Sequence, residues 1–190
     1  MKYVKGFVAL AIAIATVFCL GACAMSEKTL VEKTIEAVSN ADIDGLSGLV
    51  ATGSEDNVNV MRGYFSAFDD EKLAAYKLLM KNVGVVSYPD ENKSASGSTD
   101  TTVTFRLKHI DFDELMRDVE TEISVDGTPS AEVISKICSS EKINGYIIYD
   151  DVTVSVVRMG RRSFVEFGQK SEFFEVMGIS AFLRWFSSHW

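Results

Sequence analysis

The sequence predicts an α+β domain in which N-terminal helices pack on a curved antiparallel sheet. Three observations carry that prediction. Behind an apolar leader, the first third of the chain repeats its hydrophobic residues at helical spacing. The period then drops to two over Val83–Tyr88 and Thr99–Lys108, and again over Tyr146–Arg158 and Ser163–Phe167. Between these two pairs of strands the helical period returns, giving a helical insertion over residues 111–143, and an aromatic C-terminal helix over 171–190 ends the chain. Helices first and hairpins afterwards is the α+β order rather than the alternating one.

The leader comes first. Lys2 and Lys5 form a positive n-region, Phe7 to Leu20 an uncharged apolar core, and the small residues Gly21 and Ala22 precede Cys23. Positive charge stays on the cytoplasmic side while the apolar run enters the bilayer, which is the order a secretory signal needs. Leu20-Gly21-Ala22-Cys23 resembles the lipobox of bacterial lipoproteins. The resemblance implies cleavage after residue 22, palmitate or a similar acyl chain on Cys23, and a lipid-anchored protein facing the extracytoplasmic side. It also implies that Ala24 is not the aspartate that retains such proteins in an inner membrane. The alternative is an uncleaved anchor, since Gly6 to Met25 is about long enough to span. A spanning helix has no need of Gly-Ala-Cys at its outer end, which favours the lipobox.

Removing residues 1–22 from the 190 leaves 168 residues, 23–190, enough for a single domain with a real core. Loss of Lys2 and Lys5 takes the formal charge from −8 to −10. So acidic a body is repelled by phosphates, and nucleic acid is excluded as a partner. Cys138 is the one cysteine left besides the anchor, so no disulfide framework is expected. No phosphate-binding glycine loop or paired-cysteine metal site is present, and no cofactor is expected.

In the body, Ser26 caps a first helix with Val31, Ile35 and Val38 on one face. Asp42 caps a shorter helix carrying Ile43, Leu46, Leu49 and Val50, and Gly53-Ser54 break it. A third helix starts near Glu55 with Val58, Met61, Phe65 and Phe68 inward, and Asp69-Asp70-Glu71 open a fourth with Leu73, Tyr76 and Met80. Val83–Tyr88, the polar loop Pro89–Ser98 and Thr99–Lys108 make the first hairpin, with Val103, Phe105 and Leu107 facing one way. Phe112, Leu115, Met116, Val119 and Ile123 form a full helical stripe, Asp126–Pro129 a turn, and Ile134, Ile137 and Cys138 a second stripe. Val152, Val154 and Val156 alternate in the next strand, and Gly160 turns the chain into the last.

This order is similar to secreted bacterial lipoproteins with an NTF2-like (cystatin-like) domain. The likeness runs over Ser26–Lys108, including the Asn40-Ala41-Asp42 step, and over Tyr146–Phe167. It implies a helix laid across a curved sheet with a concavity between them. Two features depart from the pattern: the length of the 111–143 insertion and the absence of a Gly-x-Trp ending on the final strand.

The densest set of chemical side chains is His109, Asp111, Asp113 and Glu114. A divalent-metal site or an acid/base pair at a pocket mouth is one reading. A strand end followed by a capped helix start, with Asp111 capping and Glu114 in the capping-box position, accounts for the same residues and is favoured. Asp150-Asp151 is a second acidic pair, read as a bulge or exposed edge unless one of the two faces a cavity. His189 sits beside the C-terminus, too isolated to build a triad with His109, and Cys138 reads as an inert core thiol. Arg158, Arg161 and Arg162 around Gly160 are a basic spot that fits an anion or lipid headgroups, or a solvated tip that protects a sheet edge.

The tail from Phe173 to Trp190 is apolar around most of its circumference. It is expected to dock across the open sheet as the last piece of the core; the alternative is a membrane- or partner-binding helix. The functional expectation is a lipid-anchored envelope protein that binds a small apolar ligand or a protein partner in the concavity. A hydrolase or isomerase using His109 with a nearby carboxylate, and an assembly factor working through the aromatic tail, are the alternatives.

Overall fold

The computed structural model describes residues 25–89, 100–126, 130–167, 173–174 and 178–188. The leader, Cys23, most of the polar loop, residues 127–129 of the predicted turn, His189 and Trp190 lie outside the described residues.

The first helix, α1, spans Glu27–Ser39 and buries Leu30, Val31, Thr34, Ile35, Ala37 and Val38. Ser26 caps it by accepting from the Thr29 amide at 3.2 Å. The helix ends in a paired carbonyl lock: the Ala41 amide reaches Val38 O at 3.1 Å and the Asp42 amide reaches Ala37 O at 2.8 Å. This closure needs a left-handed residue after the helix, and Ala41 supplies it at φ 54°. Glycine occupies that conformation without the Cβ penalty, so Ala41→Gly is expected to raise stability by up to ~1 kcal/mol, read as a higher urea midpoint at unchanged slope.

The second helix, α2, is confined to Ile43–Ser47. Gly45 keeps it tight, since a Cβ there would run into the Asp42 carboxylate that caps the helix. Leu49 and Val50 are not helical, contrary to the sequence reading. Leu49 lies in the turn after the helix and Val50 bridges the last strand, where the Val165 amide donates to Leu49 O at 2.9 Å and the Ala51 amide to Val165 O at 2.8 Å. The β-branched Val50 is suited to that edge and helix-poor Gly48 ends the turn before it. The helices α3 (Glu55–Ser66) and α4 (Asp70–Met80) follow as expected, Asp69 capping α4. Phe65 and Phe68 pack against the core edge-on to one another, but Phe68 lies beyond the end of α3. Tyr76 of α4 is fully buried and donates its hydroxyl to Val38 O at 2.8 Å, tying α4 to α1.

Four antiparallel strands form one sheet in chain order: β1 (Gly84–Ser87), β2 (Asp100–Ile110), β3 (Ile147–Met159) and β4 (Arg162–Glu166). Its longest pairing joins the two hairpins rather than lying within either. Asp100–Ile110 match Val157–Ile147 residue for residue without a bulge. One face carries Val103, Phe105, Leu107, Val152, Val154 and Val156, all buried. The other carries Thr102, Thr104, Arg106, Thr153 and Ser155, with Thr104 and Thr153 hydroxyls 2.9 Å apart. α1 touches both edge strands, β1 and β4, so the sheet curls around it.

The insertion contains α5 (Phe112–Asp126), α6 (Ser130–Cys138) and a 3-10 turn at Glu141–Tyr146. The last helix, α7, spans Ile179–Ser188 and begins after Gly178, whose φ is 57°. It packs on α3 and α5, not across the open sheet as the sequence reading expected. Ile179, Phe182, Leu183 and Phe186 are buried, whereas Ser180, Ala181, Arg184, Ser187 and Ser188 are exposed, so the helix is amphipathic. The sheet's inner face was already covered by α1, which left the gap between α3 and α5 as the apolar surface still open.

Candidate functional site

His109 ends the inward-facing row of β2 and is 1% exposed. Its Nε2 lies 2.8 Å from Asp150 Oδ2, and its Nδ1 lies 3.3 Å from the Ile110 carbonyl. Asp150 follows from the same alternation: Val152, Val154 and Val156 point inward, so Asp150 does too, while Asp151 points outward opposite Arg106. The unbroken register excludes the bulge that the sequence reading favoured for Asp150-Asp151. The Asp150 side chain is 51% exposed, so one end of the couple is wet and the other dry.

The structure does not bring His109 together with Asp111, Asp113 and Glu114. Asp111 caps α5, accepting from the Glu114 amide at 3.0 Å, and its own amide donates to Tyr146 O at 2.8 Å. Asp113 and Glu114 are exposed on the first turn, and Glu114 reaches toward Arg117 at 3.9 Å. Among the described residues, no group of three or more His, Cys, Asp or Glu side chains is arranged to hold a metal ion. Capping explains the acidic members and the Asp150 bond explains the histidine. Nε2 faces the half-exposed Asp150 carboxylate and Nδ1 the Ile110 carbonyl, and a neutral ring, with one N–H, donates to one of the two.

The concavity between sheet and helices is filled by its own side chains. Phe105, Leu107 and Val152 are 0% exposed, and the sequence-predicted ligand space there is core. The recesses lie on the outside of the helical layer. A cleft of about 820 Å³ separates α4 from α6, lined among others by Ala74, Lys77, Lys81, Glu132 and Lys136. Another of about 590 Å³ lies between α1, α4 and β1, with Glu32 and Glu36 on one side, Lys77 and Lys81 on another, and Ile35 and Val85 beneath. Ser39 lines this second cleft, and its buried hydroxyl has no hydrogen-bond partner among the described residues. A third, of about 280 Å³, is bordered by Asp118, Glu122, Lys142 and Tyr146. Sequence reasoning missed all three because each joins residues far apart in the chain. His109 borders none of them.

In the helical insertion, two groups are shifted upward by their surroundings. Burial, then the hydrogen bond and charge of Asp118, push the Tyr146 phenol up to about 12, so it is a neutral donor to Asp118 Oδ2 at 2.8 Å. Burial pushes the Cys138 thiol up to about 11. At neutral pH the thiolate is then a minute fraction, which fits the expectation of an inert core cysteine. Arg158, Arg161 and Arg162 are all exposed around Gly160, and the Arg162 guanidinium lies 5.6 Å from the Phe164 ring centroid. Among the described residues no helix is long and apolar enough to cross a membrane.

No protein-family model matches the chain, and no curated protein matches it. Among solved structures, a candidate lipoprotein of Bacillus subtilis, YcdA, is similar at 14% identity and a TM-score of 0.36. The match covers 82% of this chain and 59% of that one, so this chain spans less than two thirds of its length. A likeness at that score assigns neither fold nor function. What stands on the structure itself is the α+β class, with a four-stranded antiparallel meander wrapped on helices.

Proposed function

We propose that the protein is a lipid-anchored cell-envelope binding module with an NTF2-like body and no catalytic centre of its own. The observation that carries this reading is the position of Leu20-Gly21-Ala22-Cys23, an apolar leader's end set three residues ahead of the Ser26 cap. Cleavage before Cys23 would keep the Ser26 cap and the helix it opens in the mature chain. The NTF2-like reading draws support from α1 lying inside a curled meander, with the α5–α6 insertion as its main departure.

A filled concavity moves ligand or partner binding to the outer clefts. The one between α1, α4 and β1 is the better candidate, since it combines an apolar floor, charges of both signs and an unsatisfied hydroxyl. The hydrolase or isomerase alternative needs His109 at a pocket, and a 1% exposed ring that borders none of the clefts argues against it. The assembly-factor alternative needs apolar tail surface, and Phe182, Leu183 and Phe186 are spent inside.

Intact mass of the protein from its native membrane tests the anchor. The expected product starts at Cys23, carries acyl mass on it, and fractionates with membranes. Cys23→Ser is expected to lose the acyl mass and to retain the leader. A wild-type chain with residues 1–22 still attached and no acyl mass would establish the spanning-anchor alternative instead.

A further inference from the structure

The β3–β4 turn is a basic island on an acidic protein. From Val157 to Phe164 the chain has three arginines and no Asp or Glu, against 27 acidic and 19 basic residues overall. Arg158, Arg161 and Arg162 are exposed and make no ion pair among the described residues. Met159 beside them is 45% exposed.

The register fixes where this tip lies. Asp100 is opposite Val157, so the tip stands at the end of the sheet where β2 begins. The N-terminus of α1 points the same way. Its Lys28 carbonyl accepts from Tyr88 just past the end of β1, while Glu36 and Asn40 share a cleft with Val83 and Gly84 at the strand's start. Because β1 is antiparallel to β2, running from Gly84 to Tyr88 means running from Lys108 toward Asp100. Cys23 precedes Ser26 by three residues, a reach of at most about 10 Å. The proposed anchor therefore leaves the body on the side toward which the arginine tip points, although β1 itself stops opposite Arg106, six residues short of Asp100.

We propose that Arg158, Arg161 and Arg162 dock on the headgroup phosphates of an anionic membrane surface, with Met159 entering the interface between them. The proposal rests on the anchor reading. Free in solution, so acidic a body is repelled by anionic lipid, and three arginines do not overcome that. Acylation at Cys23 removes the need, because it confines the body to the membrane surface, where the tip meets headgroups and guanidinium–phosphate pairing takes over from long-range repulsion. The tip then sets the tilt of the domain on the membrane.

The test uses the full acylated chain with Met159→Cys in a Cys138→Ser background, labelled with an environment-sensitive fluorophore at that position. It is reconstituted into vesicles of phosphatidylcholine, with or without phosphatidylglycerol, each containing a nitroxide-headgroup lipid. Quenching is expected to be stronger in the phosphatidylglycerol vesicles. The excess should be lost in high salt and in the Arg158→Ser/Arg161→Ser/Arg162→Ser variant, whose fold is checked by circular dichroism. A chain that floats with vesicles yet quenches equally in both overturns this proposal alone; a chain that does not float overturns the anchor as well.

Discussion

Ending the chain at Lys170 is expected to abolish cooperative folding. The deleted segment supplies Phe173, Phe174, Ile179, Phe182, Leu183 and Phe186, each at most 7% exposed. Phe182 is the centre of the group: its ring lies 4.4 Å from Phe112, 5.1 Å from Phe186 and 6.5 Å from Tyr76, centroid to centroid. Phe186 meets Phe68 at 5.2 Å, and Phe174 meets Phe167 at 4.7 Å. Removing one large buried side chain costs roughly 2–5 kcal/mol, against a total stability of about 5–15 kcal/mol for a domain. Six such losses, about 12–30 kcal/mol, match or exceed that total. The truncated chain is expected to melt without a sigmoidal transition and to bind a hydrophobic dye. Phe182→Ala, which keeps the chain length, should fold but lose ~3–5 kcal/mol by urea titration. A truncated chain with a sharp transition near the wild-type temperature would place the helix outside the core and restore its membrane or partner role.

That core role was legible in the sequence, but its location was not. An apolar run with a few charges says that a helix will be buried; it does not say against what. The sheet looked open because the contact of α1 with both β1 and β4 is visible only in three dimensions. Likewise Leu49 and Val50 continue a helical spacing in the sequence, and only the parallel bridge of Val50 to Val165 draws them into the sheet margin. Local chemistry fared better. The Ser26, Asp42 and Asp111 caps were readable, and the acidic run Asp69-Asp70-Glu71 marked the start of α4, because a helix start is decided by residues within one turn. The clefts were not, because their walls come from α1, α4, α6 and β1. The His109–Asp150 couple stands between these cases. Counting alternate residues from Leu107 and from Val152 places both side chains inward, yet their meeting depends on a register that spans the whole helical insertion.

That couple yields a second large effect, and its pattern separates a structural role from a catalytic one. His109→Ala removes a ring that fills the end of the core and leaves a void beneath β2. It is expected to cost ~2–4 kcal/mol, a transfer and cavity loss plus one hydrogen bond. Asp150→Leu keeps the ring but leaves Nε2 without its acceptor 2.8 Å away, a penalty of ~1–3 kcal/mol for an unsatisfied buried donor. Asp150→Asn still offers a carbonyl oxygen at the same place. Half the Asp150 side chain is in solvent, so the charge itself contributes little, and this variant should stay within ~1 kcal/mol of wild type. The expected order of destabilisation, read from urea midpoints, is therefore His109→Ala, then Asp150→Leu, then Asp150→Asn. A catalytic pair would show itself in turnover rather than in this order: Asp150→Asn would then abolish activity, because a general base needs its carboxylate's charge, while its urea midpoint stayed near wild type. The burial of the ring favours the structural role, since a histidine 1% exposed that bonds Asp150 closes the end of the sheet and borders none of the clefts.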